Sequence, residues 1–199
     1  MKPFAFLVLS IAPLHPFAAQ ADVPPQPASG LGGTPVAGLC MLSRPAVFAN
    51  SKVGIAAGER LKELTQQADA ELAPDRKALE AERQALADQA GKLSPSDRQA
   101  RVQAVEQHAR ALQAKAEQRN RELEATKVKV IEQIGASMQP IVAQIYKARG
   151  CGLLLDRGSV IGGNMANDLT PQVVQALDTK ISAISFNREV LTGAGDGKP

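Results

Sequence analysis

The chain has 199 residues, a formal charge of +3 at neutral pH, 22% charged and only 3% aromatic residues, two cysteines and two histidines. So modest a charge is a poor match for nucleic acid. His108 is the only histidine beyond the first 21 residues, which excludes a His-based triad or a zinc site with several His ligands.

The N-terminus reads Met1-Lys2, then apolar from Phe4 to Ala12, then Ala19-Gln20-Ala21 before Asp22. This is the pattern of a secretory signal peptide over residues 1–21, cleaved after Ala21. A membrane anchor is excluded because the apolar run is far short of about 20 residues and is followed by Pro13 and Pro16. The mature chain is thus expected in an oxidising compartment, most simply a bacterial periplasm. Residues 22–37 carry four prolines and Gly30, Gly32 and Gly33 with few large apolar groups, a disordered leader by composition.

Gly38-Leu39-Cys40-Met41-Leu42-Ser43 is a short apolar run expected as a buried strand, and Pro45-Ala46-Val47-Phe48 opens a short helix. From Ala56 to Arg149 no aromatic residue appears until Tyr146, and Ala, Leu, Gln, Glu, Lys and Arg dominate. These residues lose least on entering a helix. The one break, Gly91-Lys92-Leu93-Ser94-Pro95-Ser96-Asp97, has a terminator in Gly91, a cap in Ser94 and a first-turn residue in Pro95. Residues 57–149 are therefore expected as a helical hairpin arm with its tip near 91–96.

Seven-residue spacing links Leu72, Leu79 and Leu86 on the ascending arm and Val102, Ala109 and Ala116 on the descending one, which predicts an antiparallel seam. Folded about residue 94, Leu86 faces Val102, Leu79 faces Ala109 and Leu72 faces Ala116. A second apolar column holds Val105 and Leu112 but also Arg76, Arg83 and Arg119, so the seam is thin. Pro74 and Pro140 are expected to bend the helices. Between Lys92 and Arg121 seven basic side chains stand against three acidic ones. A solvated face explains them; attraction to acidic clients or anionic lipid is the functional reading, with Lys92, Arg98, Arg101 and Arg110 as candidate contacts.

After Gly150, Cys151 to Asp156 is expected as a second strand, Arg157-Gly158 as a turn and Ser159 to Met165 as a third strand closing a β-hairpin. Thr170 is read as a cap and Pro171 as first-turn residue of a last helix ending near Ser185. Residues 187–199 read as a flexible tail. Residues 38–56 and 150–186 together make a body of 56 residues, small enough to need a staple or an oligomer. Leu39, Met41, Phe48, Leu153, Leu155, Val160 and Ile161 are its core or oligomer candidates. The fold class is α+β, a long arm on a small strand body.

Cys40 and Cys151 each fall in one of the two apolar runs that bracket the arm. If those strands meet at its base, a disulfide ties the body shut; the alternative is two buried free thiols. No phosphate-binding loop, dinucleotide fingerprint, HExxH or nucleophile elbow occurs. No catalytic residue, metal ligand or cofactor is assigned, and no enzyme activity is expected.

The succession of signal peptide, strand, short helix, charge-rich hairpin, Leu153-Leu154-Leu155-Asp156 ahead of Val160-Ile161 and a closing helix resembles the periplasmic chaperone family called Skp or OmpH, over residues 38–185. The resemblance implies a homotrimer whose strands form one body, with three arms around a cavity. It further implies a holdase without ATP that carries unfolded outer-membrane β-barrel proteins, and contact with an anionic lipid or lipopolysaccharide surface. Nucleic acid is not an implied partner. The family's basic lipid-binding cluster has no residue-by-residue counterpart here, and the leader and cysteine pair lie outside the family pattern. The competing reading is a coiled-coil adaptor or spacer of the cell envelope.

Overall fold

A computed structural model describes residues 32–191; the signal peptide, its cleavage point and most of the leader lie outside them. Ser43 caps the first helix, its Oγ accepting from Ala46 N at 3.2 Å, and Pro45 enters the first turn where no amide is needed. The elements run β1 (Leu39–Leu42), α1 (Arg44–Asn50), α2 (Lys52–Asp88), α3 (Pro95–Ala148), β2 (Leu153–Asp156) and α4 (Thr170–Lys180), with 3-10 turns at Arg157–Ser159 and Met165–Asn167. At 1.5 Å per residue the 54-residue α3 is about 80 Å long.

α2 and α3 form the hairpin. Ser94 caps α3, its Oγ accepting from Asp97 N at 3.2 Å. Gly91 is not the terminator expected of it: α2 ends three residues earlier, at Asp88, and Gly91 keeps a negative φ. Gly150, with φ +63°, does end α3 in the left-handed conformation that glycine tolerates. Both helices run unbroken through Pro74 and Pro140.

The seam differs in phase from the expected heptads. Val53, Ala57, Leu64, Ala68, Leu72 and Leu79 are buried on α2, with Leu61 and Asp75 half-buried between them. That is a 4-4-3 spacing, an eleven-residue repeat close to the natural helix period, so the two helices need little supercoiling to stay in contact. On α3 the buried residues are Glu122, Thr126, Val130, Ile134, Met138 and Ile141. Leu72 and Leu79 thus lie in the seam. Leu86, Val105, Ala109, Leu112 and Ala116 are only half-buried and Val102 is exposed.

The strands are parallel, not a hairpin. β1 pairs β2 in the register Leu39 with Leu153 through Leu42 with Asp156; the whole arm is the crossover. Ser159–Met165 is not a third strand. The Asp156 carboxylate accepts from Gly158 N at 2.7 Å and turns the chain away, and the far edge of β1 is met by a single bridge, Met41 with Asp168, where Leu169 N donates to Met41 O at 2.8 Å. Thr170 is not a cap; its hydroxyl accepts from Ser43 N at 2.9 Å and ties α4 to the start of α1.

One core joins body and arm base. It contains Cys40, Leu42, Val47, Val53 and Ala57, then Val130, Ile134, Met138 and Ile141, then Leu169, Val173 and Leu177. Each fully buried large side chain stabilises this base by about 1.5–3 kcal/mol. Where α1 meets α2, a side chain on Gly54 would run into the Phe48 carbonyl. α4 ends at Lys180 rather than near Ser185, and the chain beyond it has no regular secondary structure. Residues 187–191, expected as tail, lie along the arm, and 192–199 fall outside the described residues. At the other end, the last leader residues are tied to the Asn164–Asn167 turn, Val36 N donating to Asn167 Oδ1 at 3.2 Å.

Candidate functional site

The four-residue strands Leu39-Cys40-Met41-Leu42 and Leu153-Leu154-Leu155-Asp156 give the ribbon two faces by simple alternation. Cys40, Leu42 and Leu154 face the helices. Leu39, Met41, Leu153 and Leu155 share the opposite face by register. Met41 is covered there by the loop carrying Gly163, whereas Leu153 is 52% exposed. Val160 is half-buried and Ile161 fully exposed beside a shallow cleft lined by Met41, Arg157 and Met165. Phe48 packs against the edge of the helical core. Parallel strands are almost always covered on both faces; here Leu153 on the outward face is left without a cover among the described residues.

Behind it, Cys40 and Cys151 are bonded, with Cα atoms 5.8 Å apart. Buried Asp168 fixes the same corner: Arg157 Nη1 lies 2.7 Å from its Oδ2 and Thr170 N donates to its Oδ1 at 2.9 Å. Burial pushes its carboxyl up, but the bonds from Thr170 and then Arg157 outweigh it and hold the group below the ordinary carboxylate range.

Across the arm, polar rungs flank the thin seam. His108 Nδ1 lies 2.9 Å from Glu82, Lys115 Nζ 2.8 Å from Asp75 and Arg119 Nε 2.7 Å from Glu71, while Arg101 bonds Gln89 nearest the tip. The numbers in each rung add to 190, a pivot at residue 95. The Arg119 bond, joined by Arg188, holds the Glu71 carboxyl below its usual range against the opposing effect of burial, and Lys115 does the same for Asp75. Beyond Leu79 on α2 and before Glu122 on α3 no residue is buried. Beyond Leu79 the arm is held by half-buried Leu86, Val105 and Leu112 and by two surface hydrogen bonds, His108 with Glu82 and Arg101 with Gln89, exposed polar contacts of a kind that contributes about 0–1 kcal/mol each.

Lys92, Arg98, Arg101 and Arg110 are all exposed on this distal part. Among the described residues Arg110 has only Glu106, at 3.7 Å, and Lys92 and Arg98 have no ion pair. Nearer the body Ile55, Val128 and Ile131 add exposed apolar groups. The arm therefore offers scattered apolar and cationic contacts rather than one shaped pocket. Among the described residues no group of three or more His, Cys, Asp or Glu could hold a metal ion, and no helix is long and apolar enough to cross a membrane.

The sequence did not point to one further group, the basal cluster of Glu71, Arg119, Glu122 and Arg188. Arg188 comes from the segment after α4, and Glu122 is 1% exposed. The one signal for it in the sequence is Arg119 among the second-column seam positions; Glu122 lies on neither expected heptad column.

The model of the OmpH family, described as outer membrane protein (OmpH-like), matches residues 40–177. Among solved structures, the crystal structure of a proposed outer membrane chaperone (OmpH-like) from Caulobacter crescentus is 35% identical. The match covers 82% of this chain and 97% of that one, with a TM-score of 0.70. No curated protein matches the chain in sequence.

Proposed function

The chain belongs to the OmpH-like outer membrane protein family, and from that premise we propose that it is a chaperone of the periplasm, an ATP-independent holdase for unfolded outer-membrane β-barrel proteins. The observation that carries this reading is the contrast along one arm: a base sealed by a continuous core and a distal half with no buried residue. A rigid root with a compliant end suits clients of different size. Three such arms give avidity from weak contacts.

The outward ribbon face supports assembly as a trimer. Leu153 and Ile161 are exposed there, and the free edge of β2 offers unpaired backbone to a second subunit. Three copies closing on one another cover both. The exposed Lys92, Arg98, Arg101 and Arg110 give the arm ends a weak attraction for acidic client segments and for anionic lipid or lipopolysaccharide. The signal-peptide pattern of residues 1–21 supports a location beyond the inner membrane, where no ATP is available to drive release.

Mass measurement in solution on residues 22–199, alone and with an unfolded outer-membrane barrel protein, tests assembly and holding together. A trimer that forms a soluble complex with the unfolded client and ignores the folded one is the expected result. A monomer or dimer without that preference overturns the reading in favour of an envelope adaptor.

A further inference from the structure

After α4 the chain has no regular secondary structure, and Phe186–Leu191 lies over the groove between α2 and α3 at the sealed base of the arm, bonded to both helices. Three of the groove's bonds go to the backbone of this strap. Arg60 Nε donates to Phe186 O at 3.4 Å, Thr126 Oγ1 accepts from Glu189 N at 2.8 Å, and Gln118 Nε2 reaches Leu191 O at 3.5 Å. Backbone bonds of this kind recognise an extended chain whatever its side chains.

Side chains add two anchors. Phe186 packs against the core. Arg188 spans the groove, 3.0 Å from Glu71 on α2 and 3.2 Å from Glu122 on α3. The groove is built for polar contact: Thr126, 1% exposed, turns its hydroxyl to the strap, and the Glu122 carboxylate, equally buried and bonded by Gln118 and Arg119, lies beside the Arg188 guanidinium. The strap itself is held lightly: Val190 is 77% exposed, and the Lys129 pair with Glu189 is at the surface.

We propose that the groove between α2 and α3 is a binding site for extended polypeptide, with Phe186–Leu191 as its resident occupant, and that segments of an unfolded client displace the strap when they bind. The client's role rests on the holdase reading; the groove's capacity for extended chain does not. A seated strap keeps a buried, polar-lined groove closed while no client is present.

The probe is a fluorescent peptide of Ile184–Leu191 added to the full mature chain, to Arg188→Ala and to Glu189→Lys. The second variant sets two lysines against each other and loosens the strap while leaving the Arg188 side chain available to Glu122, so it serves if Arg188→Ala fails to fold. Both variants are expected to bind the peptide about tenfold more tightly than the parent, the equivalent of about 1.4 kcal/mol. An unfolded outer-membrane barrel protein is expected to compete the peptide off and to speed hydrogen exchange at the parent's Glu189 amide. Failure of both variants to bind the peptide overturns the proposal, as does client binding that leaves the peptide and the exchange rate unchanged. Peptide binding with no client binding to any form removes the holdase reading and the client's part here, and leaves the groove assigned to extended chain.

Discussion

Reducing the Cys40–Cys151 bond is expected to destabilise the protein by an amount that reports how arm and body are coupled. The bridge spans 111 residues, and if the whole chain unfolds together the chain-entropy relation gives about 4.8 kcal/mol for a loop of that length. If the hairpin outlasts the body, the arm already holds its two ends close. The bridge then closes an effective loop of roughly 20 residues, contributing about 3 kcal/mol. Urea unfolding of oxidised and reduced protein at one subunit concentration separates the cases. Far-UV circular dichroism weights the arm, and Tyr146, the only tyrosine in a chain without tryptophan, reports the arm base. Equal shifts of both signals mean one cooperative unit; a Tyr146 transition that moves alone means a surviving hairpin. A loss below about 1 kcal/mol would refute the reasoning and assign closure of the body to the core alone.

Gly54→Ala is expected to cost about 3 kcal/mol or more, because the added methyl meets the Phe48 backbone rather than a yielding side chain; a melting curve like the parent's would mean the α1–α2 corner opens freely. Asp168 titrates below its ordinary 3.8 when folded. Its contribution is therefore complete above that value and lost as pH falls through the lower folded one. Asp168→Asn should lower stability at neutral pH by about 1–3 kcal/mol and flatten the acid limb of the stability profile, whereas an unchanged slope would remove Asp168 from it. Replacing Lys92, Arg98 and Arg101 by Glu is expected to weaken binding to vesicles containing anionic lipid by about 1 kcal/mol per charge, with no change in melting temperature; binding that stays constant, or that ignores salt, would make these residues a solvated face.

The hairpin was legible because its signals are local. Ser94 and Pro95 mark a helix start in any context, and more than ninety residues of strong helix formers leave few alternatives. The phase of the ribbon was not legible. Leu39-Cys40-Met41-Leu42 and Leu153-Leu154-Leu155 are apolar at every position, so nothing in them says that Leu154 faces the helices while Leu153 faces out. Ser159–Met165 reads as strand by its Val160-Ile161 pair, but the edge it would have taken is met by Asp168. The seam shows seven-residue leucines only because an eleven-residue pattern also contains sevens; Ala57, Ala68 and Leu79 carry the longer repeat. The strap left no trace in the sequence, since Phe186–Leu191 has no periodicity and Arg188 finds its carboxylates at Glu71 and Glu122, far back in the chain.

The chain enters and leaves the arm side by side, with Leu39 paired to Leu153 and a covalent bond directly behind. Everything beyond that gateway is, in effect, an insertion whose ends never move. Excising matched eleven-residue blocks from both helices, between the Glu71–Arg119 rung and the Glu82–His108 rung, would preserve the facing stripe and withdraw the tip by about 16 Å. Reach is thus an adjustable dimension in this architecture, set by counting turns, and relatives with longer or shorter limbs need no redesign at the root.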